Sequence, residues 1–351
     1  MLGPVRRRAL VYVLPLAALT AALLAPFPSG DRCAVQAQRS TVARTSRGGP
    51  RLRVVGRAAT GIQPKSVAVT PDGRRVWVAN FGRPDRDNVR VYDARTLEQV
   101  GTVQFQGNAV EIAFSPNGDT AYVSNFRRNT LEVIDTDSLE VRREVRLAGH
   151  PKTIAVTPDG RRIFVASWSN QTVSEIDART FEVTRRLRTG NHPRGMAITR
   201  NGERFYVAAM YSHLVHVFDG DSRTQAAQFE PCRFPRHMVL SPRGDRLYAS
   251  CSCCRQVRWF DPETHRLQGI AQTGENPRTI DISRDGRWIA AADFDDHTVA
   301  LIDTRELTHS IYRVPDANQI VGLAIRPTGD LRIYVTSWLT AELIALEPEE
   351  G

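Results

Sequence analysis

Residues 150–191, HPKTIAVTPDGRRIFVASWSNQTVSEIDARTFEVTRRLRTGN, read as four short strands in succession. TIAVT and RIFVAS flank a Pro-Asp-Gly turn, VSEID follows a polar SNQ loop, and VTRRLRT follows the turn after Asp177. β-Branched and aromatic residues fill the strands, while Gly, Pro, Asn and Asp separate them. A single unit of this kind cannot cover both faces of its own sheet, so it calls for copies of itself.

The copies are there. The turn glycine recurs at Gly73, Gly118, Gly160, Gly202, Gly244, Gly286 and Gly329, at intervals of 42 to 45 residues. An apolar run precedes each glycine, from VAVTPDG to LAIRPTG, and a second follows it, from VWVAN to IYVTS. An acidic residue closes each third strand: Asp93, Asp135, Asp177, Asp219, Asp261, Asp303 and Glu347. Locked to the repeat, these acids are expected to form turns by accepting nearby backbone N–H groups, not to catalyse. Seven four-stranded units predict an all-β fold, a seven-bladed β-propeller. The last copy ends after its third strand, ELIAL at 342–346, and an orphan fourth strand, LRVVGRAATG, stands at 52–61. Residues 52–58 are therefore expected to complete the last blade and close the ring, removing an unpaired edge.

The stretches PKTIAVTPDGRRIFVAS and NFRRNTLEVID resemble the YVTN family of β-propeller repeats, and the resemblance covers about 52–347. It implies the propeller fold strongly and a function only loosely. Such repeats occur in archaeal surface-layer proteins and exported bacterial proteins. More distant relatives include quinoprotein amine dehydrogenase and haem d1 propellers, and lactonase chemistry occurs on a related propeller.

Residues 1–37 have the features of an export signal: Arg6, Arg7 and Arg8, an apolar run Ala9–Leu24, and small residues at Val35-Gln36-Ala37. A retained membrane anchor is the alternative, because the uncharged run reaches Gly30; Pro15, Pro26 and Pro28 argue against a spanning helix. Residues 38–51 read as a flexible linker and 52–351 as the propeller. The expectation is a secreted or periplasmic monomer without a membrane span in the mature chain. The chain carries a formal charge of +9. Residues 1–37 hold +3 of this and 38–51 hold +4, leaving only +2 on the propeller, which argues against nucleic acid as a partner.

Eight residues before the turn glycine stand Lys65, Lys152, Arg194, Arg236 and Arg278, with Val110 and Val321 in the other two copies. Five cations around one mouth could draw an anion; alternatively each is repeat consensus held by local acceptors, as Asp293 opposite Arg278 suggests. After the second strands come Phe81, Phe126, Trp168, Phe294 and Trp338, either a binding platform or caps on blade packing. The candidate binding face comprises these cations with Phe126, Trp168, Phe294 and Trp338.

The fifth copy departs from the others, with Cys232 before its first strand and CSCC, supplying Cys251, Cys253 and Cys254, after its second. His237 lies on its inner strand. Four clustered cysteines in an exported chain point to disulfides, and antiparallel register brings Cys232 toward Cys253 or Cys254. The alternatives are copper or zinc on these cysteines and His237, or a redox-active dithiol. No catalytic set stands out from the repeat background and no cofactor is expected. The leading expectation is an exported binding or scaffold propeller whose partner is a protein, peptide or glycan. The other expectations are the metal or thiol-redox protein and a quinoprotein-, haem d1- or lactonase-like enzyme.

Overall fold

The computed structural model describes residues 42–349. The proposed signal at 1–37 lies outside the described residues. Seven antiparallel blades surround a central channel lined by the inner strands Pro64–Val69, Ala109–Phe114, Pro151–Val156, Pro193–Ile198, Pro235–Leu240, Pro277–Ile282 and Ile320–Ile325. Among the described residues a single 3₁₀ turn, Met210–Ser212, interrupts the strands. No helix among the described residues is long and apolar enough to cross a membrane.

The turns form as their chemistry dictates. Each repeat glycine takes φ between +70° and +83°, a region open to Gly without steric cost. In six blades the Asp closing the third strand accepts the N–H groups two and three residues on: Asp177 Oδ1 accepts from Arg179 (2.9 Å) and Thr180 (2.8 Å), and Asp261 repeats this with Glu263 and Thr264. Those N–H groups hold the Asp177 and Asp261 carboxyls below their ordinary range. Glu347 departs from the expected turn role and instead accepts from Arg332 Nε at 2.7 Å.

The apolar core lies between blades. Seven clusters fill the seven blade–blade interfaces; that between the first two blades sets Trp77, Val89 and Val91 against Ile112, Val123 and Ile134. A ring of such interfaces has no end only if it is closed. Leu52–Ala59 closes it, pairing antiparallel with Glu342–Pro348 as the outer strand of the last blade. Leu52 is fully buried in the interface with the sixth blade.

Part of the stretch expected as a linker also runs along the ring. Ala43–Arg44 pairs parallel with Leu267–Gln272, and Ser46–Arg47 pairs parallel with Thr308–Arg313, giving the fifth and sixth blades a fifth strand. The Thr45 hydroxyl and His309 Nδ1 share a hydrogen bond of 2.8 Å.

Removal of residues 1–60 is expected to leave the ring open and the protein insoluble or without a cooperative thermal melt, whereas removal of residues 1–49 leaves a folded ring of lower melting temperature. Leu52→Ala is expected to cost about 2–5 kcal/mol in denaturant unfolding. A melt of the first deletion matching the full chain would refute the closure.

Candidate functional site

Every inner strand is bulged near its start. Register slips between Pro151 and Ile154, between Pro235 and Met238, and at the equivalent step in the other five blades. A bulge bends the strand and re-aims the extra side chains. The cations Lys65, Lys152, Arg194, Arg236 and Arg278 all occupy the bulge, and so do their neighbours Glu111 and His237. The displaced N–H groups find hydroxyl acceptors on the second strand: Glu111 donates to Ser124 Oγ (3.1 Å), His237 to Ser250 Oγ (3.0 Å) and Gly322 to Thr336 Oγ1 (2.9 Å).

Outside the cations, the residue after each second strand donates its N–H to the carbonyl just before the inner strand. Phe126 donates to Asn108 (2.9 Å), Trp168 to His150 (3.0 Å), Phe294 to Asn276 (3.2 Å) and Trp338 to Gln319 (3.0 Å). These four aromatic side chains are at most 9% exposed, so they are caps rather than an open platform. Two pack with Val110 and two with Val321, the copies that lack a cation. Three of the same four rings also roof the cations: Lys65 Nζ lies 4.8 Å from the Trp338 ring, Lys152 Nζ 4.2 Å from Trp168, and Arg278 Cζ 3.1 Å from Phe294. Edge-on and tilted ring contacts continue through Trp168, His192, Tyr211 and Phe234, giving His192 and Phe234 a place in the cap arc.

The cations form a layer across the channel, with Lys65, Lys152, Arg236 and Arg278 buried and Arg194 half-buried. Burial, then the charges of Lys152, Arg194, Arg278 and Arg236, hold the Lys65 ammonium well below its ordinary value; Lys152 is lowered in the same way. Among the described residues no carboxylate lies within ion-pairing distance of Lys65, Lys152, Arg194 or Arg236. Lys152 Nζ and Arg236 Nε are buried without a hydrogen-bond acceptor. Local acceptors therefore do not account for these four. Asp293 does stand opposite the start of its inner strand, across from Pro277, but its carboxylate accepts from Gly274 N–H and Thr298 Oγ1, both at 2.9 Å.

Beyond the layer, a central cavity of about 640 Å³ runs toward the opposite, turn-bearing face. Glu111, His237, Thr279 and Asp281 line its inner part, and Pro71, Pro116, Arg284 and Pro327 its turn end. Burial raises the Glu111 carboxyl to about 7 against the pull of Arg194, Lys65 and Lys152. Burial likewise raises Asp281 to about 6, although it accepts the Ile282 and Ile325 N–H groups at 2.8 Å. Burial and Arg194 lower His237 to about 4, so its imidazole is neutral at physiological pH. The channel thus places a cluster of cations behind a carboxyl that titrates near neutrality.

Sequence reasoning missed Glu111 and Asp281. Their signal was a departure from the repeat: Glu111 stands where other copies have Ser66, Thr153, Gly195, His237, Thr279 and Gly322. Asp281 replaces an apolar residue, Ala in five copies and Val239 in the other.

In the fifth blade, Cys232 bonds Cys251, with Cα atoms 5.9 Å apart. This corrects the expected partner, Cys253 or Cys254. Cys251 is the last residue of its strand, paired with Pro235, whereas Cys253 and Cys254 lie in the turn beyond it. The bond removes Cys232 and Cys251 from any thiolate donor set, and His237 lies apart in the cavity. Among the described residues no three His, Cys, Asp or Glu side chains come together to hold a metal ion.

Fold and site together define a seven-bladed propeller whose central channel carries a layer of cations and a cavity open toward the turn face. The chain belongs to the family described as "Lactonase, 7-bladed beta-propeller", whose family model matches residues 20–230. It is also 39% identical over 62 residues to Protein NirF of Pseudomonas aeruginosa, a match spanning 18% of this chain and only 16% of NirF. In three dimensions it resembles a chain of the Kuenenia stuttgartiensis hydrazine synthase structure, with a TM-score of 0.71 and 18% identity over 82% of this chain and 96% of that one. That likeness is one of fold.

Glu111→Gln tests the charge assignment. A carboxyl raised in the folded state from an ordinary 4.5 to about 7 stabilises the fold at low pH, and this contribution is lost as pH rises through about 7. The variant should match the wild type near pH 4 and exceed it at pH 8 by up to about 3 kcal/mol. Parallel melting-temperature profiles for the two proteins from pH 4 to 8 would refute the assignment.

Proposed function

We propose that the chain binds a small, multiply charged anion at the cation layer of its channel, in a compartment outside the cytoplasm. The observation that carries this reading is the buried, acceptor-less pair of Lys152 Nζ and Arg236 Nε in a layer where cations outnumber carboxylates. Unneutralised buried charge is costly, and a ligand carrying carboxylates or phosphates would supply the missing acceptors. Guanidinium groups suit such oxygens through bidentate bonding. The cap arc closes the near side, so the ligand enters from the turn face, past Arg284 and along the cavity. The broader expectation of a protein, peptide or glycan partner narrows accordingly to a molecule that fits inside the ring. The disulfide suits an oxidising compartment, and we read the repeats as of the YVTN type within the lactonase family.

Titration calorimetry with citrate and with inorganic phosphate tests this reading against Lys152→Met and Arg236→Met. Binding to the wild type should weaken at least about tenfold, or 1.4 kcal/mol, in each variant. Without ligand, each variant should melt at or above the wild-type temperature, because like-charge repulsion is relieved. Neither heat nor thermal shift from either anion at millimolar concentration would sink the proposal.

A second reading, lactone hydrolysis, is favoured by the family and by the carboxyl of Glu111 near 7. Ionised Glu111 would take a proton from the water that attacks the lactone carbonyl, while the cations stabilise the developing oxyanion. The product, a hydroxy acid, is itself an anion. Hydrolysis of γ- and δ-lactones followed by pH-stat should then rise as pH passes through about 7 and vanish in Glu111→Gln, with citrate binding retained. A wild type with no rate above buffer would dismiss this reading alone.

A further inference from the structure

We infer that Cys254 is an exchange partner for the Cys232–Cys251 disulfide, making the fifth blade a thiol–disulfide switch beside the channel. Three observations meet here. Cys232 and Cys251 are both fully buried, which shields the bond from reductants in solution, whereas Cys253 and Cys254 are partly exposed. The stretch Cys251-Ser252-Cys253-Cys254 closes a turn in which Cys254 N–H donates to Cys251 C=O at 3.0 Å. A turn of this kind brings its first and fourth Cα atoms within about 7 Å, and disulfides span Cα separations of about 4.4–6.8 Å. Cys251 thus has one partner in the structure and a second within reach on its own turn.

The exchange balances without an outside oxidant. Cys254 loses its proton to water, and its thiolate attacks Sγ of Cys251. The Cys254–Cys251 bond forms as the Cys251–Cys232 bond breaks, and Cys232 leaves as a thiolate that takes up a proton. One disulfide and its remaining thiols persist throughout.

The two forms differ at the channel. Cys232 begins the loop that leads through Phe234 into Arg236. Phe234 is held by its carbonyl accepting Ser252 N–H (3.3 Å) and by its own N–H donating to His213 Nδ1 (3.2 Å). With the disulfide moved onto the turn, the covalent tie between this loop and the second strand is gone. The loop leading into the strand that bears Arg236 is then held by hydrogen bonds and packing alone.

Alkylation of the native, unreduced protein at pH 8.5, followed by tryptic peptide mapping, tests the switch. In the starting form, peptide 224–233, which holds Cys232, is linked to peptide 247–255, which holds Cys251, Cys253 and Cys254. In the exchanged form, 224–233 emerges alone with one alkyl group, and 247–255 carries an internal bond between Cys251 and Cys254 with the alkyl group on Cys253. A population of the exchanged form growing with time is expected in the wild type and in Cys253→Ala, and at least about tenfold less of it in Cys254→Ala. Permanent linkage of the two wild-type peptides over a day would overturn the inference whatever the variants do. So would release of Cys232 at equal rates with and without Cys254, or an internal bond that involves Cys253.

Discussion

One pairing holds the molecule as a ring: Leu52–Ala59 against Glu342–Pro348. Each blade covers its faces only with its two neighbours, so all seven interfacial clusters depend on the ring having no end. Strand exchange between the two ends of the chain satisfies the last edge and buries Leu52 where an open array would face water. The parallel additions at Ala43–Arg44 and Ser46–Arg47 continue the same logic outward, covering the outer edges of two further blades.

Closure also creates the chemistry. Seven inner strands meet around one axis, and a bulge at the same point in each aims the same position of the repeat inward. A residue type repeated five times along the chain therefore becomes five like charges in one layer, four of them buried. Like charges at such separations repel, and the cap arc of Trp338, Phe126, Trp168 and Phe294 offsets part of that cost through ring–cation contact while excluding water. The layer in turn pulls on Glu111, yet burial dominates and keeps its carboxyl near neutrality. Cations without acceptors beside a carboxyl poised to titrate are poor architecture for stability alone, which is why the channel is the place to seek function.

The fifth blade is the least regular copy and the one that combines these themes. It supplies Arg236 to the cation layer, His237 to the cavity and the disulfide to the adjoining loop. Where five other copies hold the cap position with an aromatic ring and the fourth with Met210, this one has Ser252 and a covalent bond nearby. The substitution of a covalent tie for a packed ring gives this sector a mode of change that the other six lack.

The period of the turn glycines, the alternation of apolar strands and the orphan strand at 52–61 were sufficient, by themselves, to determine seven blades and their closure, because these are local patterns repeated in phase. The identities of the five cations and four capping aromatics were equally legible. What they do was not. The bulge that turns Lys152 into a buried layer, the caps that seal it, and the register that sets Cys251 rather than Cys253 opposite the entry loop depend on contacts between distant segments. Glu111 and Asp281 were visible only as breaks in the repeat, and their meaning came from enclosure: the same carboxyl on a blade's outer edge would titrate as an ordinary acid. Tertiary structure decided the site, because burial and the summed field of neighbouring charges belong to the closed ring and to no single stretch of chain.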